Sequence, residues 1–521
     1  MDRTFSKMAR AFFLSLLLSA TVNAARQKAD TKVLILGGGV SGVIAARTLH
    51  EQGIDDFVIV EARDELGGRM RSRSFGAPGK AVTVELGANW IQGTQTGTGP
   101  ANPILTLANK YGVKTAPSDF YTSIVTYDEH GSADYLDVLN TALDAYTNLT
   151  VVGGARVPTK QVDATCRTGY SLVGARPKTP AEMVTEYYVF DWEYAQTPEQ
   201  TSWIASSWAN NFTFDVDQGG FSADNELAID QRGFKHLIQG EAQSFLKPEQ
   251  VRLNTTVRAV TYSKDGVAVT LANGTRITAE YAISTFSVGV LQNEDVVFEP
   301  ALPEWKEEAI QSMTMATYTK IFLQFEKKFW FDSQFALYAD TERGKYPVWQ
   351  GLDLPGFLPG SGIIFVTVTG DYSKRVEALS DKQVQAESMA VLRTMFPNIT
   401  IPDPIAFMFP RWNADPLYRG SYSNWPSSFV SRHHTNLRAT VSDRLWFAGE
   451  AMSQKYFGFL HGAYFEGLDA GQAVASCLLS AKNCKPRTHF ESVPNANPET
   501  IQQIMLRPIP RSVSQHRSPS P

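Results

Sequence analysis

The sequence predicts a mixed α/β chain in which one parallel-sheet domain is assembled from separated segments and a second domain is inserted between them. Three observations predict it. The apolar run Lys32 to Leu36 leads into a glycine-rich turn, a helical run from Val43 to Gln52 and a second apolar run from Phe57 to Val60, a strand–helix–strand opening. Near the other end, the buried-strand pattern Leu445 to Ala448 again leads into a glycine-containing turn and a helix from about Ala463 to Leu479. The length, 521 residues, exceeds what one hydrophobic core serves.

Ahead of the first strand, Arg3, Lys7 and Arg10 precede the apolar run Ala11 to Leu18, and the small residues Val22-Asn23-Ala24 follow. Charged, apolar, small is the order of a secretory signal peptide spanning 1–24, with cleavage after Ala24. The apolar run is short for a membrane anchor. No later stretch holds about 18 uninterrupted apolar residues, so no membrane span is expected in the mature chain. Sequons at Asn148, Asn211, Asn254, Asn273 and Asn398, each with Thr two positions on, agree with an extracellular glycoprotein. The three cysteines are too few for a disulfide scaffold or a metal cluster. Cys477 and Cys484 are spaced either to bridge locally or to stand unpaired.

A formal charge of −5 gives no broad basic field for nucleic acid. Val251 to Thr285 alternates apolar and polar residues around the turn dipeptides Asp265-Gly266 and Asn273-Gly274, a hairpin pattern. Residues 31–115, 226–310 and 440–482 are expected to form the nucleotide-binding domain, and 116–225 with 311–439 the inserted substrate-binding domain. The Pro- and Ser-rich stretch 485–521 lacks periodicity and is expected to be a disordered tail.

Gly37, Gly39 and Gly42 form G-x-G-x-x-G directly after a strand and at the opening of a helix. The first allows a tight turn, the second lets backbone approach a pyrophosphate, and the third permits close packing, while the helix N-terminus offers N–H groups to phosphate. Glu61 closes the second strand nineteen positions after Gly42, where a carboxylate can hold ribose hydroxyls. A second glycine turn, Leu66-Gly67-Gly68-Arg69, adds a cation for phosphate that simple NAD domains do not need. At the far end Glu450, in Phe447-Ala448-Gly449-Glu450, is suited to ribityl or ribose hydroxyls. These features point to a Rossmann-like domain for FAD.

The blocks LILGGGVSGVIAARTL, VIVEARDELGGRMRS, VELGANWIQG, TYTKIFLQF, YRGSYSNWP and WFAGEAMSQKYFGFLHGAYFEGLDAG together resemble the flavin amine oxidases, and within them the secreted polyamine oxidases of plants and fungi. The resemblance runs from Lys32 to about Leu479. It implies that Gly38, Glu61, Arg63, Arg69, Val257 and Glu450 contact FAD, Val257 through its backbone at adenine. It also places Lys320, in the strand-like run Tyr318 to Phe325, beside flavin N5 with a bound water. A lone lysine in such a run also fits an edge strand that resists aggregation. The implied reaction transfers hydride from the carbon beside an unprotonated amine to flavin N5, the imine hydrolyses, and dioxygen is reduced to hydrogen peroxide.

Trp90, Tyr318, Tyr422 and Phe459 are candidate aromatic walls for a small-molecule amine, with Phe459 also close to the cofactor; by resemblance Tyr422 and Phe459 flank the substrate. Two departures from the family pattern bear on substrate. The block holding Phe459 often carries Tyr, and Gln92 stands where the plant polyamine oxidases carry Glu. Glu193, in FDWEYA, resembles a second acidic residue near the tunnel. Lys455 to His461 contains no cysteine, so FAD is expected to be non-covalent. Two other readings stay open: an oxidase of another amine or of an amino acid, with Arg411 or Arg419 facing a substrate carboxylate, and a flavin-binding homologue without turnover.

Overall fold

Val33 to Leu36 are fully buried in the strand Thr31–Leu36, which lies between the parallel strands Phe57–Val60 and Arg276–Ser284. A strand apolar on every side chain belongs inside a sheet covered on both faces. In this computed structural model, which describes residues 29–156, 161–428 and 430–490, it is an inner strand of an eight-stranded sheet. The predicted signal at 1–24 and the sequence from 491 onward lie outside the described residues.

The sheet runs Val251–Arg252, Phe57–Val60, Thr31–Leu36, Arg276–Ser284, Gly266–Leu271, Val257–Ser263 and Val297–Glu299, with Leu445–Phe447 adding on Arg276–Ser284. It therefore draws on three distant stretches of chain, aligned by registers such as Val33 with Tyr281 and Ile283 with Trp446. The expected hairpins form: Ser263 pairs with Gly266 across one turn, and Thr270 with Arg276 across the other.

Two helices tie the ends of the chain together. Val40–Glu51 begins three residues earlier than expected because the glycine turn passes straight into it, with Gly39 as its N-cap. Leu460–Leu479 likewise begins three residues early. They pack without room for side chains between them: a Cβ on Gly467 would stand 2.3 Å from the Ser41 oxygen, and one on Gly471 2.7 Å from Thr48 Cβ. Cys477, on the second helix, is bonded to Cys484.

A second sheet has seven strands, ordered Ala406–Met408, Tyr318–Gln324, Ile363–Thr369, Val348–Gly351, Phe335–Tyr338, Ile124–Asp128 and Gly131–Ala133. The lysine-bearing strand pairs along its length with Ile363–Thr369 and from Phe322 to Gln324 with Ala406–Met408, and Lys320 is buried, so it is not an exposed edge-strand lysine. Helices follow between Leu136 and Phe214.

Residues 485–490, expected as the start of a disordered tail, carry no helix or strand but are tethered. Arg487 exchanges hydrogen bonds with Thr440, Phe490 with the Asn436 side chain, and His489 stacks on Trp305 at 4.1 Å. Their irregular composition hid this order because the partners come from elsewhere in the chain.

Candidate active site

A cavity of about 560 Å³ is lined from both large sheets and takes in the glycine turn and Glu61 as well as Trp90, Gln92 and Glu193. Gly37, Gly39, Arg63, Gly68, Arg69, Val257, Tyr318, Lys320, Tyr422, Glu450 and Phe459 also line it. Gly38 and Gly42 do not. Gly42 packs beneath the turn, where a Cβ would come 2.0 Å from the Gly37 oxygen, and Gly38 donates its N–H to Glu61 Oε2 at 2.7 Å.

The glycine end fits a dinucleotide. The helix Val40–Glu51 has no side-chain cap and no acid in its first turn, so its first N–H groups and its dipole are left for an anion. Gly68 crosses close to Gly39, a Cβ on it standing 3.0 Å from Gly39 Cα, which keeps the phosphate region lined by backbone. Burial raises the Glu61 carboxyl above its ordinary range, opposed by N–H groups of Arg63 and Gly38. Each Glu61 oxygen accepts one N–H, at 2.7 and 2.8 Å, and keeps further acceptor capacity for hydroxyls.

The two arginines are held from the opposite side of the site. Arg63 donates to Tyr418 Oη at 2.6 Å and pairs with Asp415, while its guanidinium lies over the Tyr418 ring at 4.7 Å. Arg69 donates to Glu450 Oε1 at 2.8 Å and to the Ser421 oxygen at 3.0 Å. Glu450 also accepts from the N–H groups of Ser423, at 3.2 Å, and Gly458, at 2.8 Å. It thus joins the second glycine turn, the Tyr422 strand and the Phe459 loop.

Lys320 is 2% exposed, and its Nζ meets three acceptors: the Gly87 oxygen at 2.7 Å, Asn89 Oδ1 at 2.7 Å and the Glu85 oxygen at 3.3 Å. The Trp90 ring centre lies 5.3 Å away. Desolvation pushes the amine down to about 7, with the Glu85 charge pulling the other way. In the neutral form two N–H bonds serve the close acceptors, and the remaining lone pair can hold a proton or a water.

Beyond Lys320 the walls are aromatic. Trp90 meets Phe120 and Trp192 edge-on at 5.6 and 5.3 Å, Trp192 meets Tyr318 at 6.4 Å, and Tyr318 meets Tyr422 at 6.0 Å. Phe459 packs separately, on Phe214 at 6.0 Å and stacked on His461 at 5.0 Å. Gln92 Nε2 donates to Glu193 at 3.3 Å, and enclosure raises the Glu193 carboxyl to about 7. The Tyr422 hydroxyl donates to the Glu193 backbone oxygen at 2.8 Å, locking acid and ring together.

Sequence reading missed Asn89, Phe120, Trp192, Asp415 and Tyr418. Asn89 directly precedes Trp90 and Trp192 precedes Glu193, so adjacency was a usable signal. Asp415 lies 352 positions from Arg63 and had none. Arg411 is held by Asp381 and the Glu377 and Leu379 oxygens, and Arg419 by Asp295 through two bonds of 2.7 Å. Neither lines this cavity.

An elongated dinucleotide cradle, opening onto a buried lysine and an aromatic passage ending in a carboxylate, defines the class: a flavin-dependent amine oxidase. The chain belongs to the flavin containing amine oxidoreductase family, whose sequence model matches residues 40–475. It is 35% identical to polyamine oxidase 1 of Zea mays, over 92% of this chain and 97% of that one. It is also 35% identical to polyamine oxidase 7 of Oryza sativa subsp. japonica, over 88% and 98%. The fold matches cyclohexylamine oxidase from Brevibacterium oxydans with a TM-score of 0.68 at 18% identity, over 87% of this chain and all of that one. Putrescine oxidase gives a TM-score of 0.68 at 17% identity, over 85% and 98%. Among the described residues no helix is long and apolar enough to cross a membrane.

Proposed function

We propose that this enzyme is a secreted polyamine oxidase that binds FAD without a covalent bond. The observation that carries the substrate class is the position of Glu193: a half-buried carboxylate on the same cavity as Lys320, reached through a passage walled by Trp90, Phe120, Trp192, Tyr318 and Tyr422. Such a passage takes the methylene chain, and the acid takes a distant ammonium. An amino acid would instead need a cation for its carboxylate, and Arg411 and Arg419 are both committed elsewhere. The names of the maize and rice relatives agree.

Bound FAD supplies the hydride acceptor and, with dioxygen, the route to peroxide. Gly37, Gly39 and the helix start would hold its pyrophosphate, with Glu61 on ribose and Arg69 adding positive charge. Lys320, neutral above about pH 7, would accept a proton or bind a water at Nζ. The aromatic walls orient the amine and exclude bulk water. No cysteine lines the cavity: Cys477 and Cys484 are joined and Cys166 is buried elsewhere, which supports non-covalent binding. The disulfide, and the exposed asparagines of three sequons outside helices (254, 273 and 398), support secretion.

The test is a peroxide-coupled screen of spermine, spermidine, acetylated polyamines, monoamines and amino acids, with products identified. Highest kcat/KM on a polyamine is expected. A monoamine or amino acid ahead of every polyamine overturns the reading.

A further inference from the structure

Trp192 and Glu193 reach the cavity from an unusual piece of backbone. The helix Pro180–Glu186 continues into a π-helical segment, Tyr187–Asp191, then one α-helical turn, Trp192–Tyr194, stopped by Ala195 at φ 52°. A π segment inserts an extra residue per turn, rotates the side chains beyond it, and is found mostly where function requires that rotation. Something must hold it against relaxing to an ordinary helix.

A hairpin loop of the seven-stranded sheet reaches both of its ends. Arg343, between the strands Phe335–Tyr338 and Val348–Gly351, donates to both Asp191 oxygens, at 2.7 and 3.1 Å, and lies 3.0 Å from Glu186 Oε1. Asp191 is 1% and Glu186 4% exposed, so one guanidinium bridges the two ends of the π segment in a largely dry setting. The next residue, Gly344, abuts the Tyr187 ring, where a Cβ would stand 3.4 Å from Cε2. Tyr187 in turn exchanges hydrogen bonds with Thr369, which pairs with Tyr318 two residues from Lys320. Arg167 closes the outer side of Glu186 at 2.8 Å. Removing Arg343 would leave Glu186 paired with Arg167 but the buried Asp191 carboxylate without its guanidinium partner.

We infer that Arg343 is a positioning residue: by bridging Glu186 and Asp191 it fixes the π-helical turn that presents Trp192 and Glu193, and thereby sets the enzyme's preference for amines carrying a second, distant ammonium. This rests on the polyamine reading above.

The experiment uses the full, FAD-loaded enzyme and its Arg343→Met and Arg343→Lys variants, with KM and kcat measured for spermidine and for a linear monoamine of matching length. Arg343→Met should raise the spermidine KM about tenfold or more, the scale of a misplaced hydrogen bond to charge. Its kcat, and the monoamine KM, should stay within about threefold of wild type. Arg343→Lys, which keeps the charge without the fork, should recover part of the loss. If Arg343→Met does not accumulate as holoenzyme, Asp191→Asn replaces it with the same expectation. Spermidine and monoamine KM values that move together, or a spermidine KM within about threefold of wild type, overturn the proposal. Failure of the polyamine reading is seen separately: a wild-type enzyme without preference for spermidine over the monoamine removes that reading, and this inference with it.

Discussion

Lys320 Nζ and Asn89 Oδ1 stand 2.7 Å apart in a setting where the lysine has almost no contact with solvent. Two backbone oxygens, of Gly87 and Glu85, complete its surroundings, so the amine is aimed by its acceptors. Lys320→Met keeps similar length and apolar volume and should still fold and bind FAD. It leaves those acceptors without a donor, at roughly 1–3 kcal/mol for each group left unpaired. Losing a group that positions a reacting partner slows a step by about 10²–10⁴-fold. Stopped-flow traces with the best amine, and then with oxygen, should show that slowing in one half-reaction. If both rates stay within about threefold of wild type, below even the weakest such effect, Lys320 is a structural lysine.

The same residue fixes a pH dependence. Burial brings its pKa to about 7 from an ordinary 10.5. Between those values the unfolded chain binds a proton that the folded chain does not, so this group's contribution to stability rises with pH across that window and is most unfavourable below it. Lys320→Met lacks the penalty. Its melting temperature relative to wild type should therefore be most favourable at pH 6 and fall by pH 9; a difference that is flat or rises over that range contradicts the assignment.

Glu193 titrates in the same region with the opposite charge sense, as burial lifts it to about 7. Below that pH the carboxyl is neutral and attracts no ammonium. The KM for spermidine, divided by that of Glu193→Gln at each pH to cancel ionisation of the substrate, should fall as pH rises through 7. At pH 8 the variant's KM should exceed wild type about tenfold or more, with kcat little changed. An unchanged KM for spermidine would move the distant ammonium elsewhere.

Precipitating the purified protein with acid should release its flavin to the supernatant, because Cys166 is buried away from the cavity and the other two cysteines are bonded to each other. Colour remaining in the pellet after washing would show a covalent link.

Mature protein from its native host should begin near Ala25, and the exposed asparagines 254, 273 and 398, which lie outside helices, should be open to glycans. Asn211 is half-buried within the helix Trp203–Phe214, and its sequon Thr213 is buried against His461, so it should be unmodified. Peptide mapping before and after deglycosylation reads both. Full-length, unglycosylated protein in the cytosol would contradict secretion.

Local chemistry alone determined the opening of the nucleotide-binding domain. Lys32 to Leu36, the three glycines and Glu61 lie within thirty residues, and their roles follow from steric and hydrogen-bonding rules that need no distant partner. The two hairpins near Gly266 and Gly274 were legible for the same reason, and the fold class followed from strand patterns at both ends. Lys320 could be singled out, but not judged: an exposed edge-strand lysine and a buried one share one sequence pattern, and only its burial against Gly87, Asn89 and Glu85 separated them. Arg63 could be placed near FAD, yet its anchoring by Asp415 and Tyr418 bridges more than 350 positions of chain. Glu193 stood out as an acid, while its tie to Gln92, 101 positions away, and the contacts of the π segment behind it arose only from packing. The division has a physical cause. Turns, caps and strand patterns are set by neighbours in sequence, whereas pKa values, the aim of a side chain and the walls of a passage are set by whatever packing brings near. Those neighbours exist only once the sheets have formed.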